Sequence, residues 1–201
     1  TGLGHGGAIA VEPEPGGGSV SALVGALAAA LVTMVTNLTL GKEKFAAVHG
    51  DMAVLQTDAE KLRRELEELV TLDAQAYAKV AAAMKLPRDD EAQKAERNRA
   101  LQAALKGAAE VPLRVAQAVI EVARLSLPAA EKGNPNAVSD AGVAVLLADA
   151  AAQSAALNVK INLTWIEDKE FNHASWTRIE AILSEAARLS DIVLALTYRK
   201  I

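Results

Sequence analysis

Residues 16–41 read GGGSVSALVGALAAALVTMVTNLTLG, 26 consecutive positions without a charged side chain. A run of that length can cross a bilayer, so its reading decides what kind of molecule this is. It is built from Ala, Gly, Ser and Thr rather than Leu, Ile and Phe, it carries Asn37, and neither end has an aromatic anchor. That composition points away from lipid and toward a helix packed inside a protein. Ala22, Gly25, Ala26, Ala29, Ala30 and Thr33 make one narrow face on which another helix can approach closely. The expectation is a central, solvent-excluded helix ending near residue 40, with no membrane span. A secretory leader would need a basic segment before the apolar run, whereas Glu12 and Glu14 precede this one. The opening TGLGHGGA, and the chain through residue 14, is expected to be a flexible end.

The remainder of the 201 residues is consistent with one domain covering 1–201. Ala and Leu dominate, only six residues are Phe, Tyr or Trp, and Cys is absent. Small side chains of high helix propensity give an all-α fold class, a helical bundle. The formal net charge of −4 leaves no basic footprint for nucleic acid. Without cysteine there is no disulfide framework and no thiol nucleophile, which fits a cytoplasmic protein. His5, His49 and His173 stand alone, so no histidine metal centre is expected.

About six helices follow from the punctuation. The first starts in the glycines, with Ser19 or Ser21 as cap. The second covers about 43–84, stopped by Leu86-Pro87. The third covers about 90–109, with Arg97, Asn98 and Arg99 exposed or at a site rim. Pro112 opens a fourth that ends near 130. After the turn EKGNPNAVSD, Ser139 caps a fifth running to about 165, and a sixth fills 168–200.

The second helix carries an anomaly. Val48, Met52, Leu55, Ala59, Leu62, Leu66, Leu69, Ala76, Val80 and Ala83 form a core-facing stripe, and Asp73 stands in it. A carboxylate there loses hydration, which disfavours its charged form and costs several kcal/mol unless a partner meets it. Asp73 is either a structural ion pair or a proton-transfer group. Gly16, Gly17, Gly18 and Ser19 offer backbone N–H groups to an anion, or simply a capped helix start. Lys42 and Lys44 follow a helix C-terminus, where they complement the dipole or meet an acidic ligand tail. Ser154, Asn158 and Asn162 share a face of the fifth helix, and Asn134, Asn136, Ser139 and Asp140 crowd the turn before it. These groups either bond a heterocycle or cross-link neighbouring helices. No Ser/His/Asp set is evident.

Several strings together carry a family resemblance: PGGGSVSALVGALAAALVTMVTNLTLGK, LDAQAYAKVAAAMKLP, RALQAALKGAAEVPL, and GNPNAVSDAGVA followed by NVKIN. The chain resembles the cyclodeaminase half of formiminotransferase-cyclodeaminase and its free-standing bacterial relatives, some regarded as methenyltetrahydrofolate cyclohydrolases. The resemblance implies an all-helical homodimer with a folate-binding cleft and the acid of the D-x-x-A-[FY] string, here Asp73, as the catalytic residue. The candidate substrate contacts are Gly16, Gly17, Gly18, Ser19, Asn37, Lys42, Lys44, Asn134, Asn136, Ser139, Asp140, Asn158 and Asn162. The implied reaction closes 5-formimidoyltetrahydrofolate to 5,10-methenyltetrahydrofolate with release of ammonia. The alternative is hydrolysis of the methenyl compound to 10-formyltetrahydrofolate. A tetrahydrofolate derivative is then the substrate, and neither a metal nor a prosthetic group is called for. One departure is Glu14, which stands between two prolines in place of a small or hydroxylated residue. The competing class is a non-catalytic helical binding module in which Asp73 is a buried ion pair.

Overall fold

Five α-helices make the fold in the computed structural model, which describes residues 16–201: α1 Gly17–Leu40, α2 His49–Met84, α3 Glu91–Lys132, α4 Val138–Leu163 and α5 Lys169–Lys200. Short 3₁₀ segments occupy Glu43–Val48 and Pro135–Ala137. The expectations for residues 1–14, Glu14 included, lie outside the described residues.

α1 packs on α2, α4 and α3, and α5 covers α4 and α3 from the other side. The small-residue face explains the position of α1: Ala22, Gly25, Ala26, Ala29 and Thr33 are buried, and Ala30 is half-buried. A Cβ at Gly25 would lie 2.5 Å from Val119 Cγ1, so α3 comes nearer than any side chain at 25 would permit. The helix is nevertheless not solvent-excluded all round. Val20, Leu23, Leu27, Met34 and Leu38 project from its outer side, and Val143, Leu146 and Leu157 are exposed on the neighbouring α4. Gly17–Leu40 and Pro135–Leu163 are both long and apolar enough to cross a membrane. Each buries its other face in the protein core.

On α2 the predicted stripe packs inward: Met52, Leu55, Ala59, Leu66, Leu69, Ala76, Val80 and Ala83 are buried, while Val48 and Leu62 are half-buried. The opposite face is held in water by charge, with Arg63 paired to Glu60 and Glu67 one turn either side. Such surface pairs add a few tenths of a kcal/mol each.

The helices differ from the expected six because Pro112 starts nothing. It is buried inside α3, which runs unbroken for 42 residues and also contains Pro128. An interior proline lacks the N–H that would bond the carbonyl four residues earlier. That carbonyl belongs to Ala108, and Asn162 Nδ2 of α4 donates to it at 3.1 Å. The lost bond is thus replaced from another helix, 54 residues away in sequence. The second helix begins later than expected, at His49, because residues 43–48 wind as 3₁₀.

The serines do not cap as expected. Gly16 is the N-cap of α1, with no side-chain cap bond, and Ser19 and Ser21 sit inside the helix. α4 is capped by Ala137, also without a side-chain bond, so Ser139 is an exposed first-turn residue. The polar work of that turn falls to buried Asn134. Its N–H donates to Thr39 Oγ1 at 2.8 Å and its Nδ2 to Leu38 O at 3.1 Å, while its Oδ1 accepts from Asn136 N at 3.1 Å. These bonds fasten the α3–α4 turn to the C-terminal end of α1.

Candidate active site

A cleft of about 580 Å³ opens where the N-terminus of α1 meets the second half of α2, the first half of α3 and the end of α4. That size suits a small organic ligand. Asp73 stands in its wall, half-buried. The stripe places the residue on the inner side of α2, but the carboxylate faces the cleft instead of the sealed core. Among the described residues, no Lys, Arg or His forms an ion pair with it.

Glycine at the start of α1 is required by closeness. A Cβ at Gly17 would meet the Asn158 amide at 3.2 Å, and one at Gly18 would overlap the Asp73 carboxylate, 2.5 Å from its Cγ. With no Cβ at 18, the helix start lies directly over the acid. The next residue supplies its polar contact: Ser19 Oγ lies 3.0 Å from Asp73 Oδ2 and 3.1 Å from Val70 O. The hydroxyl has one hydrogen and two lone pairs. With that hydrogen on Asp73 it serves an ionised carboxylate; with it on Val70 O, the Ser19 oxygen is free to accept from a protonated one. The pair can follow a proton on Asp73 without moving a heavy atom.

Two residues along, Ser21 Oγ lies 2.7 Å from both Gly17 O and Ser154 Oγ, stitching the first turn of α1 to α4. Asn158 Nδ2 donates to Ser154 O at 2.9 Å, and Asn162 Nδ2 donates to Asn158 O at 2.9 Å as well as to Ala108 O. Both amide hydrogens of Asn162 are engaged with backbone, whereas Asn158 commits one of its two. At the cleft Asn162 therefore offers its oxygen, and Asn158 its oxygen and its second hydrogen.

The structure brings Gly16, Gly17, Gly18, Ser19, Asp73, Asn158 and Asn162 to one cleft. It does not bring Asn37, Lys42, Lys44, Asn134, Asn136, Ser139 or Asp140 there, because all seven lie at or beyond the opposite end of α1. That helix has 24 residues, roughly 36 Å at 1.5 Å per residue. Asn37 bonds Gln56, Lys44 lies over the Phe45 ring, and Asn134 is bound up in its turn. Asn134 fastens the α1 C-terminus, and none of the seven lines the cleft.

The family model for formiminotransferase-cyclodeaminase matches residues 8–181. The chain belongs to the formiminotransferase-cyclodeaminase family. One family relative is the methenyltetrahydrofolate cyclohydrolase of Methylorubrum extorquens, 43% identical over 179 residues, which cover 89% of this chain and 86% of the relative. Another is the formimidoyltransferase-cyclodeaminase of Rattus norvegicus, 36% identical over 90% of this chain but only 33% of its own length. The chain thus spans a third of that longer relative. The crystal structure of formiminotetrahydrofolate cyclodeaminase from Thermotoga maritima superposes with a TM-score of 0.83 at 33% identity, covering 94% of this chain and 90% of that one.

Four cleft residues of this family member were not among the candidates: Tyr77, Gln102, Trp165 and Glu167. Tyr77 closes the D-x-x-A-[FY] string and lies one turn beyond Asp73 on α2, so it was legible by spacing, and Gln102 lies in RALQAALKGAAEVPL without a signal that marks it. Trp165 and Glu167 fall past the end of α4 and carried no such signal. The segment bearing Trp165 and Glu167 is held by Asp168, whose side chain caps α5 and pairs with Lys106 at 2.6 Å. The Lys106 bond and the Phe171 N–H keep the Asp168 carboxyl below its ordinary range. That stabilisation is present above the ordinary carboxylate range and is lost as pH falls through the lowered value.

Proposed function

We propose that this chain is an enzyme of tetrahydrofolate one-carbon chemistry, a methenyltetrahydrofolate cyclohydrolase, with Asp73 as its acid/base. The observation that carries the proposal is a carboxylate set in a cleft with, among the described residues, no cation paired to it and a single side-chain partner, a hydroxyl that suits either protonation state. Water adds to the carbon bridging N5 and N10, and Asp73 takes a proton from it. The adduct then forms the carbonyl as its bond to N5 breaks. N5 takes a proton, which Asp73 is positioned to return, and 10-formyltetrahydrofolate leaves with one net proton released. Proton transfer by a positioned side chain contributes about 10² to 10⁴-fold, and the ionised carboxylate favours the cationic methenyl carbon.

Ring closure of 5-formimidoyltetrahydrofolate is the second reading, supported by the Thermotoga maritima structure. N10 attacks the amidine carbon and gives its proton to Asp73, and the departing nitrogen receives a proton as ammonia. Hydrolysis takes precedence over ring closure, the reverse of the order expected from sequence. The Methylorubrum extorquens relative is the more similar in sequence and matches over most of its own length. Offering each substrate separately and following the methenyl absorbance discriminates the two. Hydrolysis removes the band from 5,10-methenyltetrahydrofolate, whereas cyclodeamination creates it from the formimidoyl compound. A protein that changes neither is not a folate enzyme of this kind.

The assembly proposed is a homodimer through the apolar stripes of α1 and α4. Leu23 and Leu27 of α1 and Leu146 and Leu157 of α4 are exposed on two helices that pack together, and large apolar side chains of that kind call for a partner surface. Light scattering is expected to give twice the chain mass, and Leu27→Glu to shift the protein toward monomer. A wild type that stays monomeric at all concentrations would remove this assembly. Only such a second copy can bring Lys42 and Lys44 near a cleft.

A further inference from the structure

Two of the six aromatic residues of the chain line the cleft, and both are mostly uncovered: Tyr77 is 55% exposed and Trp165 is 68% exposed. An indole in water is ordinary on a loose loop, but this one is on a fastened segment. Gln102 Nε2 donates to Trp165 O at 3.1 Å, and its Oε1 accepts from Glu167 N at 2.9 Å. Asn172 Nδ2 donates to Ile166 O at 2.8 Å, and the Ile166 side chain between them is buried. The backbone is thus fixed while the ring is free. The other tryptophan, Trp176, is by contrast engaged, with Nε1 donating to Glu180 and Lys160 over its ring. Beside Trp165, the Glu167 carboxylate is exposed, and its one partner among the described residues is Asn98 Nδ2 at 3.5 Å.

The cleft is therefore polarised. At one end is the start of α1, with no capping side chain and no acidic residue in its first turn, lying over the Asp73 carboxylate; at the other are two aromatic faces and the Glu167 carboxylate. Asp73 lies toward the first end, and Tyr77 is one helical turn, about 6 Å, further along α2. A tetrahydrofolate is polarised in the same sense. Its pyrimidine ring carries the adjacent N2 and N3 hydrogens on the edge opposite N5, and its glutamate carries carboxylates. Glu167 can accept from both of those hydrogens but would repel the glutamate.

We infer that the Trp165 end of the cleft is the pterin subsite, with Trp165 and Tyr77 against the ring and Glu167 reading its N2–H and N3–H edge. The inference rests on the folate reading of this site. It fixes the direction of the ligand: pyrimidine at Glu167, reacting carbon at Asp73, and p-aminobenzoylglutamate past Gly17 and Gly18, where the α1 dipole favours its charge.

The test is equilibrium binding of 5-formyltetrahydrofolate and of its analogue lacking the 2-amino group, to the wild type and to Glu167→Gln. The wild type is expected to prefer the complete folate by about tenfold or more, the scale for hydrogen bonds to a charged group. Glu167→Gln is expected to weaken folate binding by a similar factor and to lose most of that preference. In a Trp176→Phe background, a tetrahydropterin fragment is expected to quench Trp165 emission and p-aminobenzoylglutamate to leave it unchanged. A variant that binds folate as the wild type does, with the preference intact, overturns the subsite while leaving the folate reading standing. Quenching by p-aminobenzoylglutamate alone reverses the direction and overturns it as well. A wild type that binds no folate removes the underlying reading, a result visible before any variant is made. Trp165→Ala gives a second substitution at an exposed position should Glu167→Gln fold poorly, and equal folate affinity there also counts against the subsite.

Discussion

Asp73→Asn is expected to lower kcat by a hundredfold or more while folate binding and the melting midpoint stay close to wild type. Asparagine keeps the shape and an oxygen that can accept from Ser19 Oγ, at the place where Asp73 Oδ2 now lies 3.0 Å away. It cannot carry a proton from one reacting atom to another, and loss of a general acid/base costs about 10² to 10⁴-fold. Stability is the discriminating readout. If Asp73 were half of a buried ion pair, removing its charge would strand a cation and cost about 3–5 kcal/mol. No cation stands beside it among the described residues, so the change is expected to stay below about 1 kcal/mol, a shift of about 2–4 °C for a chain of this size. Turnover on the methenyl band, binding of unreactive 5-formyltetrahydrofolate and a thermal melt separate the cases. An Asn variant that turns over normally would end the assignment of Asp73.

How much of this site was legible depended on whether the responsible contacts were local. The α2 stripe and the small-residue face of α1 are periodic features, and periodicity survives whatever the helices pack against. The break expected at Pro112 was local reasoning defeated by a distant residue, since the bond from Asn162 to Ala108 O replaces the one proline removes. The same bond shows why Asn162 looked like a ligand contact: a half-buried amide is demanded there, but its hydrogens serve the backbone. The far-end candidates, Lys44 apart, belong to the motifs that carry the resemblance, yet motif strings are silent on which end of a helix faces the ligand. Trp165 and Glu167 were hidden for the opposite reason. They fall just past a helix terminus, in a turn whose geometry is set by Gln102 of α3.

Gly18→Ala tests the site from the other side, through geometry with the acid left in place. Gly18 is helical and has no special backbone conformation, so by local rules alanine should improve it by about 0.8–1.0 kcal/mol. The new methyl would, however, occupy space held by the Asp73 carboxylate, 2.5 Å from its Cγ. A half-buried side chain beside an open cleft can swing away, so the protein is expected to fold, trading the propensity gain against the lost Ser19 contact with little net change in stability. The carboxylate then no longer stands where the reacting atoms are held. A displacement of about 1 Å can cost about 10²-fold in rate. Turnover is therefore expected to fall by roughly that factor with the melting midpoint almost unmoved. Gly107→Ala is the control, because nothing lies within 4 Å of a Cβ there. It should gain the full propensity term and keep its activity. Wild-type turnover in Gly18→Ala would mean that the acid does not act from beneath the start of α1, and the mechanism would have to be rebuilt around another group.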